Sequence, residues 1–451
     1  MPDIIATTPM SRRSFIAKSA LTAGTLAGSS ALLDACGGSS SSRSGTTTIT
    51  VLYGTELPDA GVKAFEKANP DIKVKNTPFD ATKLSAMLAS GTPPDAVRID
   101  GAPQLPNFAA RGVAADLSSY FQNSKVIKES DLQPINDVYR WDGKQQGQGP
   151  RYGLVKDWSQ DVMIWYNKKL FDQAKVPYPD ANKPMSYDDL LATAKKLTVV
   201  KDNKIQVYGL SPSWGWNTQG HILQHLAQVG TTFFSSDLTK VDFTTPEVRK
   251  VFQWYVDWAQ AHVGPSPVDP DPAFDGSLFL ADRVAMITYG YWFGGYIGTA
   301  TNGLPDHVGF APTPQWGSDY VSSCFGATGI FIPKNSKNKD AAWRFIEYFF
   351  GGEGALARAK SGWGLPATKS LLSAVPQTPA YEKQAIDVQQ QELQSFKILH
   401  FSPYISNDAM NAAISKYIEP VMKGQGSLDA GLKQLNDAVN LLMQQGKEQV
   451  G

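Results

Sequence analysis

The residues best suited to chemistry in this chain are flat rings and carboxylates standing where predicted strands end. Trp214 and Trp216 flank one glycine in Ser211-Pro212-Ser213-Trp214-Gly215-Trp216-Asn217, between a predicted strand and a predicted helix. A second stretch, Tyr289-Gly290-Tyr291-Trp292-Phe293-Gly294-Gly295, again interleaves aromatics with glycine after a strand. Two tryptophans in one turn are costly to expose without a partner. At least one is expected to stack on a ligand, the other reading being packing beneath the loop. Glu56, Asp100, Asp157 and Asp161 supply carboxylates at comparable places. Such a set suits a ring with an apolar C–H face and a rim of hydroxyls. Aromatic faces cover the first, and ionised carboxylates accept charge-assisted hydrogen bonds from the second. Arg and Lys are scarce at the same predicted positions, which argues against phosphate or a dicarboxylate.

Paired carboxylates can also do acid and nucleophile work, and Asp157 with Asp161, or Glu56 with Asp100, would serve a glycoside hydrolase at the right separation. The chain carries no Gly-x-Ser-x-Gly elbow and no Walker loop, so no catalytic residue is assigned. His221 and His225 stand four apart on a predicted helix, but Ile222 follows the first where a zincin needs Glu. The run from Asp269 to Gly276 resembles a calcium loop but lacks acids at Ala273 and Leu280. A proline-stiffened surface loop is the better reading there, and neither metal nor cofactor is expected.

Strands and helices must carry these groups. Residues 47–53 alternate and are β-branched, Pro58-Asp59 opens a helix that Asn69-Pro70 stops, and 72–74 read as a second strand. Asp80 caps a further helix closed by Gly91, and 95–99 form a third strand. This order marks a mainly parallel α/β sheet, whose ligands sit beyond the carboxyl ends of strands. Glu56 lies beyond the first strand and Asp100 beyond the third; for Asp100, helix capping is an equally good reading.

The stretch 151–171 organises the rest. An extended run at 152–155 is followed by a polar break at 156–160, a second apolar run at 162–166, and a helix opened by Asn167. That pattern suits a chain leaving one sheet for another, with Asp157, Trp158 and Asp161 at the mouth between two domains. The alternative is an ordinary strand with one exposed Trp. Downstream, 186–196 reads as a capped helix, 205–210 as a strand and 284–288 as another. Residues 248–261 form a helix whose Val251, Trp254, Tyr255 and Trp258 belong to the core. Residues 322–333 are a candidate return crossing and 363–366 a third, while 379–449 are mostly helical.

At 451 residues, two or three domains are expected. Lys plus Arg equals Asp plus Glu at 42 each, which argues against nucleic acid or an anionic membrane surface as partner. Charged residues are 19%, whereas 11 Trp, 17 Tyr and 21 Phe leave rings to spare for a ligand. At the amino terminus, Arg12-Arg13 precedes a short, mildly apolar run and resembles a twin-arginine export signal. Leu33-Asp34-Ala35-Cys36 resembles a lipobox, with Asp34 off its pattern, so cleavage before Cys36 and a lipid on its sulfur are expected. The Gly/Ser run that follows reads as a flexible tether. With Cys36 lipidated, Cys324 has no partner and no disulfide is expected.

Six motifs then fall into a familiar order: GVKAFEKANPDIKV at Gly61, YGLVKDWSQDVMIWYNKKLF at Tyr152, SYDDLLATAKKLT at Ser186, LADRVAMITYGYW at Leu280, FGATGIFIPKNSKNKDAAWRFIEYFF at Phe325 and WGLP at Trp363. From Ile49 onward the chain resembles the family 1 extracellular solute-binding proteins, the maltose-binding-like receptors of bacterial ABC importers. The resemblance implies an α/β, two-lobe periplasmic-binding-protein fold of type II with hinge crossovers. It divides the chain into a signal at 1–35, a tether at 36–46, one lobe from 47–157 with 326–366, and the other from 158–325 with 367–451. Carried over residue by residue, the cleft would be lined by Tyr53, Glu56, Asp100, Trp158, Asp161, Trp214, Trp216, Tyr291, Trp292, Phe325 and Trp363. Cys324 departs from the Ser or Gly more usual there. A lipid-anchored, extracytoplasmic monomer is implied, capturing a small neutral solute such as a sugar or oligosaccharide and passing it unaltered to ABC permease subunits in the membrane. A polyol, peptide or polyamine is the alternative ligand for the same architecture.

Overall fold

The computed structural model describes residues 45–450, so the expected export signal and Cys36 lie outside the described residues. Its strands are β1 (Thr47–Leu52), β2 (Ile72–Thr77), β3 (Ala96–Asp100), β4 (Arg140–Trp141), β5 (Gln146–Arg151), β6 (Gly153–Val155), β7 (Asp157–Trp158), β8 (Ile164–Asn167), β9 (Val199–Lys201), β10 (Lys204–Ser211), β11 (Val284–Thr288), β12 (Val308–Ala311), β13 (Thr328–Phe331) and β14 (Leu365–Pro366).

Two five-stranded sheets carry the two lobes. The first runs β2-β1-β3-β13-β6, with β1 parallel to β2 and β3, and with β13 antiparallel to both β3 and β6. The second runs β12-β8-β11-β10-β9, with β10 parallel to β11 and β8 antiparallel to β11 and β12. The chain passes from the first sheet to the second through β6, β7 and β8, and returns between β12 and β13. Its third passage places β14 antiparallel to β7, Leu365 opposite Trp158. The polar break of 156–160 is therefore a hinge, and both later crossings are where the sequence puts them.

Local chemistry explains the flanking helices. The side chain of Asp80 accepts the amide of Lys83, that of Asn167 accepts Leu170, and that of Ser186 accepts Asp189, each at a helix start. The helix Gly101–Ala110 is absent from the sequence reading because it contains Pro103 and Pro106. Pro106 cannot donate to the carbonyl of Ala102 one turn back, and the buried Gln146 Nε2 donates to that oxygen instead, at 2.9 Å. Phe65 of the helix Asp59–Ala68 packs on Phe345, Tyr348 and Phe349, with ring centroids 5.5–5.9 Å away, so the helix Lys339–Ile346 joins the first sheet. The carboxyl-terminal helices Ala380–Glu392, Asn407–Met422 and Leu428–Val450 pack on the second lobe, against β12 and the helices Thr218–Ala227 and Pro246–Gln260. Val251, Trp254, Tyr255 and Trp258 are buried there as the core stripe their spacing predicts.

Candidate functional site

A cavity of about 210 Å³ lies where both sheets and all three crossings meet. From the first lobe come Glu56, just past β1, and Arg98 and Asp100 on β3. The crossings contribute Lys156, Asp157, Trp158, Ser159 and Asp161, then Gly326, Ala327 and Thr328, then Trp363. The second lobe contributes Trp216, Trp292 and Tyr296.

Seven of the eleven expected residues line this space: Glu56, Asp100, Trp158, Asp161, Trp216, Trp292 and Trp363. Trp158 is fixed by its indole N–H, which donates to the carbonyl of Pro366 on the third crossing at 2.9 Å. Trp292 and Trp216 are half-buried with centroids 5.9 Å apart, and Tyr296 stands 4.9 Å from Trp363. Asp100 opens the helix Gly101–Ala110 without capping it; its carboxylate accepts the Thr328 hydroxyl at 3.3 Å instead.

The other four lie elsewhere. Tyr53 is 4% exposed, edge-on to Phe350 and beneath the ammonium of Lys156, because it still belongs to the core at the end of β1. Trp214 packs on Tyr255 at 5.1 Å, away from the cavity. Positive φ at Ser213, Gly215 and Asn217 breaks the alternation that would otherwise give it and Trp216 a common face. Tyr291 is buried with its hydroxyl donating to Glu382. Phe325 is buried behind Trp216, against His221 at 5.0 Å.

The sequence reading also missed two cations. Arg98 Nη2 is 2.9 Å from Glu56 Oε1 and Nη1 is 3.9 Å from Asp100, while Lys156 Nζ is 2.5 Å from Glu56 Oε2 and 3.1 Å from Asp157. Arg358 Nε reaches Asp157 at 3.8 Å from outside the lining. Burial alone would raise Glu56, but Lys156 and Arg98 hold it below the usual carboxylate value. Burial would likewise lower Lys156, and Asp157, Tyr53 and Glu56 more than offset this, so its ammonium stays firmly charged. Asp100 goes up through burial, partly opposed by Arg98. Arg98 was legible in principle, since strand alternation places it on the face of Asp100 two residues on.

The histidines are structural. His221 and His225 are buried on the helix Thr218–Ala227, the ring of His225 lies 4.0 Å from Tyr187, and burial pulls the pair down to about 3 and about 4, so both are neutral. Asp269 pairs with His262 at 2.8 Å, Asp271 with Arg283 at 3.2 Å, and Asp275 accepts Ser211 and Tyr289. Their oxygens are spent on protein partners and do not converge as cation ligands would. No group of three His, Cys, Asp or Glu residues with metal-holding geometry occurs among the described residues.

Residues 53–355 match the family described as bacterial extracellular solute-binding proteins. An ABC transporter extracellular-binding protein of Pyrococcus horikoshii is 23% identical over 316 residues, 65% of this chain and 64% of the relative. The erythritol/L-threitol-binding protein of Mycolicibacterium smegmatis is 25% identical over 288 residues, 60% of this chain and 58% of that protein. The match thus spans 58–64% of these two relatives' length, less than two thirds. Among solved structures, the ABC substrate-binding protein of Listeria monocytogenes in complex with cycloalternan is similar with a TM-score of 0.75 at 28% identity, covering 88% of this chain and 99% of that one.

Proposed function

This chain belongs to the bacterial extracellular solute-binding proteins, and from that premise we propose that it captures a small, uncharged, hydroxyl-rich solute, a sugar or short oligosaccharide, and delivers it unaltered to the permease of an ABC importer. One observation carries the reading: a single cavity is lined by the rings Trp216, Trp292 and Tyr296 from one lobe, by the carboxylates of Glu56 and Asp100 from the other, and by Trp158, Trp363, Asp157 and Asp161 on the crossings between them. Arg98 and Lys156 do not reverse it, because Glu56, Asp100 and Asp157 already engage them. An anionic solute finds no cation to spare there. The same pairing speaks against acid and nucleophile work, since Glu56 and Asp100 share one arginine and Asp157 sits between Lys156 and Arg358.

A volume of about 210 Å³ is below the roughly 300–1,000 Å³ of sites for drug-sized ligands. It favours one or two sugar units over a peptide. A polyol is the second reading, supported by the size of the cavity and by the erythritol/L-threitol-binding relative; the five aromatic rings of the lining favour a cyclic solute over it. A thermal-shift screen against mono- and oligosaccharides, polyols, amino acids and polyamines, followed by calorimetry, tests both. Stabilisation by a saccharide is expected, and a shift confined to amino acids or polyamines would overturn the proposal.

In this reading the lobes comprise 47–157 with 326–366 and 158–325 with 367–451. The protein works outside the cytoplasm as a monomer, exported by the twin-arginine route and held at the membrane by lipid on Cys36. No helix among the described residues is long and apolar enough to cross a membrane.

A further inference from the structure

The four acids of the cavity are not equivalent. Glu56, Asp100 and Asp157 each have a cationic nitrogen within 4 Å. Asp161 is 2% exposed and forms no ion pair among the described residues. Its partners all belong to the return crossing: the amide of Gly326 donates to Oδ2 at 2.6 Å, its own amide donates to Ser323 O at 3.1 Å, and the Phe325 amide and Cys324 thiol also face its carboxylate. One side chain therefore ties the first crossing to the second and lines the cavity as well. A neighbour on the same segment points to a missing donor or acceptor: Ser159 Oγ, on the lining, is buried without a partner among the described residues.

A buried carboxylate lacking a cation is costly to ionise until something arrives to donate to it. Resting on the hydroxyl-solute reading above, we propose that Asp161 holds a proton in the unliganded cavity and releases it to solvent when a solute hydroxyl donates to its carboxylate, so that capture expels about one proton and sets the tie between the two crossings. The balance is simple: the carboxyl O–H bond breaks, the proton passes to water, and the solute keeps its own hydroxyl hydrogen in a charge-assisted bond. Two backbone amides already aimed at the carboxylate favour the ionised form once the solute adds its donor. The groups facing Asp161 do not supply that charge from the protein side. Asp100 opposes ionisation, Cys324 is a buried thiol pushed up by burial, and Arg98 and Lys156 are engaged by other acids. Burial pushes the Asp161 carboxyl up to about 7, which puts its proton within reach of ordinary pH changes.

The test uses the tightest binder among glucose, maltose, maltotriose, erythritol and mannitol, titrated calorimetrically in buffers of different ionisation heat. Wild type is expected to release about one proton per solute at pH 6 and almost none above pH 8, with affinity about tenfold weaker at pH 6 than at pH 8. Asp161→Asn, which keeps an acceptor for the Gly326 amide, should bind with a flat profile, while Asp100→Asn, which removes a charge that opposes ionisation of Asp161, should keep a pH-dependent affinity displaced to lower pH. Carboxyl infrared spectra of the unliganded protein, wild type minus Asp161→Asn, should show a protonated band that disappears near pH 7. Binding without proton release, or a carboxyl already ionised at pH 5, overturns the proposal. Failure of every probe to bind would count against the saccharide reading alone, and the infrared titration would still decide the protonation of Asp161.

Discussion

Replacing Trp292 by Ala should abolish much of the binding, whereas the same change at Trp214 should not, although the two residues look alike in the sequence. Trp292 lines the cavity half-buried, 4.7 Å from Tyr289, 5.9 Å from Trp216 and 6.1 Å from Tyr296, so the part of its indole left uncovered by these rings is available to a solute there. Loss of one stacked ring costs roughly 1–3 kcal/mol, which corresponds to a five- to 150-fold weaker Kd. Trp214 instead packs on Tyr255 of the helix Pro246–Gln260, outside the lining. Its removal should cost stability by uncovering part of that ring and change affinity by less than about twofold, well below the tenfold that 1.4 kcal/mol produces. Calorimetry with a bound saccharide gives the affinities, and thermal melts of the unliganded variants separate stability from binding. Equal losses of affinity in the two variants, or a larger loss at Trp214, would refute the assignment of the ring wall.

Three further outcomes are expected. A methyl group at Gly295 would collide with the indole of Trp363, so Gly295→Ala should push that ring off Tyr296 and weaken saccharide binding about fivefold or more, read by calorimetry beside an unchanged circular dichroism spectrum. In the unliganded protein, Asp161 keeps its proton up to about 7, whereas the unfolded chain loses it near 3.8. Its contribution to stability is therefore complete below the unfolded value and is lost as pH rises through 7, an effect on the order of 4 kcal/mol at most. Asp161→Asn should flatten that decline in urea melts between pH 4 and 8, and a parallel curve would show that the group does not titrate there. Cys36→Ser should move the protein from the membrane fraction to the soluble fraction of the producing cell, read by immunoblot after fractionation; unchanged membrane retention would rule out the lipid anchor.

The hinge was legible because its signal is local: an apolar run, a polar break and a second apolar run need no knowledge of the partner strands. The choice between neighbouring aromatics was not. Trp214 and Trp216 stand two apart, which in a regular strand means one face, and only the left-handed turn at Gly215 sends them apart. Tyr291 and Trp292 share a short helical turn, Tyr291–Phe293, whose phase decides that Tyr291 meets Glu382 and Trp292 meets the cavity. Composition cannot supply that phase. Strand β12 escaped for a different reason: four residues, VGFA, set between prolines and containing glycine, carry little strand propensity, and their pairing with β8 is what makes them a strand. The cations Arg98 and Lys156 were overlooked because attention to strand ends passes over side chains inside β3 and at the start of the crossing.

Those cations change what the cavity asks of its ligand. Without them, four carboxylates in one space would favour a polyamine or a metal. With Glu56, Asp100 and Asp157 matched to Arg98, Lys156 and Arg358, the first lobe offers a polar surface whose charges largely cancel. Hydroxyls can bond to such a surface, and a full ionic charge gains little from it. The rings Trp216, Trp292 and Tyr296 belong to the opposite lobe. Neither wall alone can hold both the apolar face and the polar rim of one small solute, so the arrangement that brings the walls together gains the difference in contact and is the one a solute selects. Trp158, Asp161 and Trp363 stand on the crossings between the walls. A substitution there should disturb affinity and lobe closure together, whereas one at Trp292 should disturb affinity first.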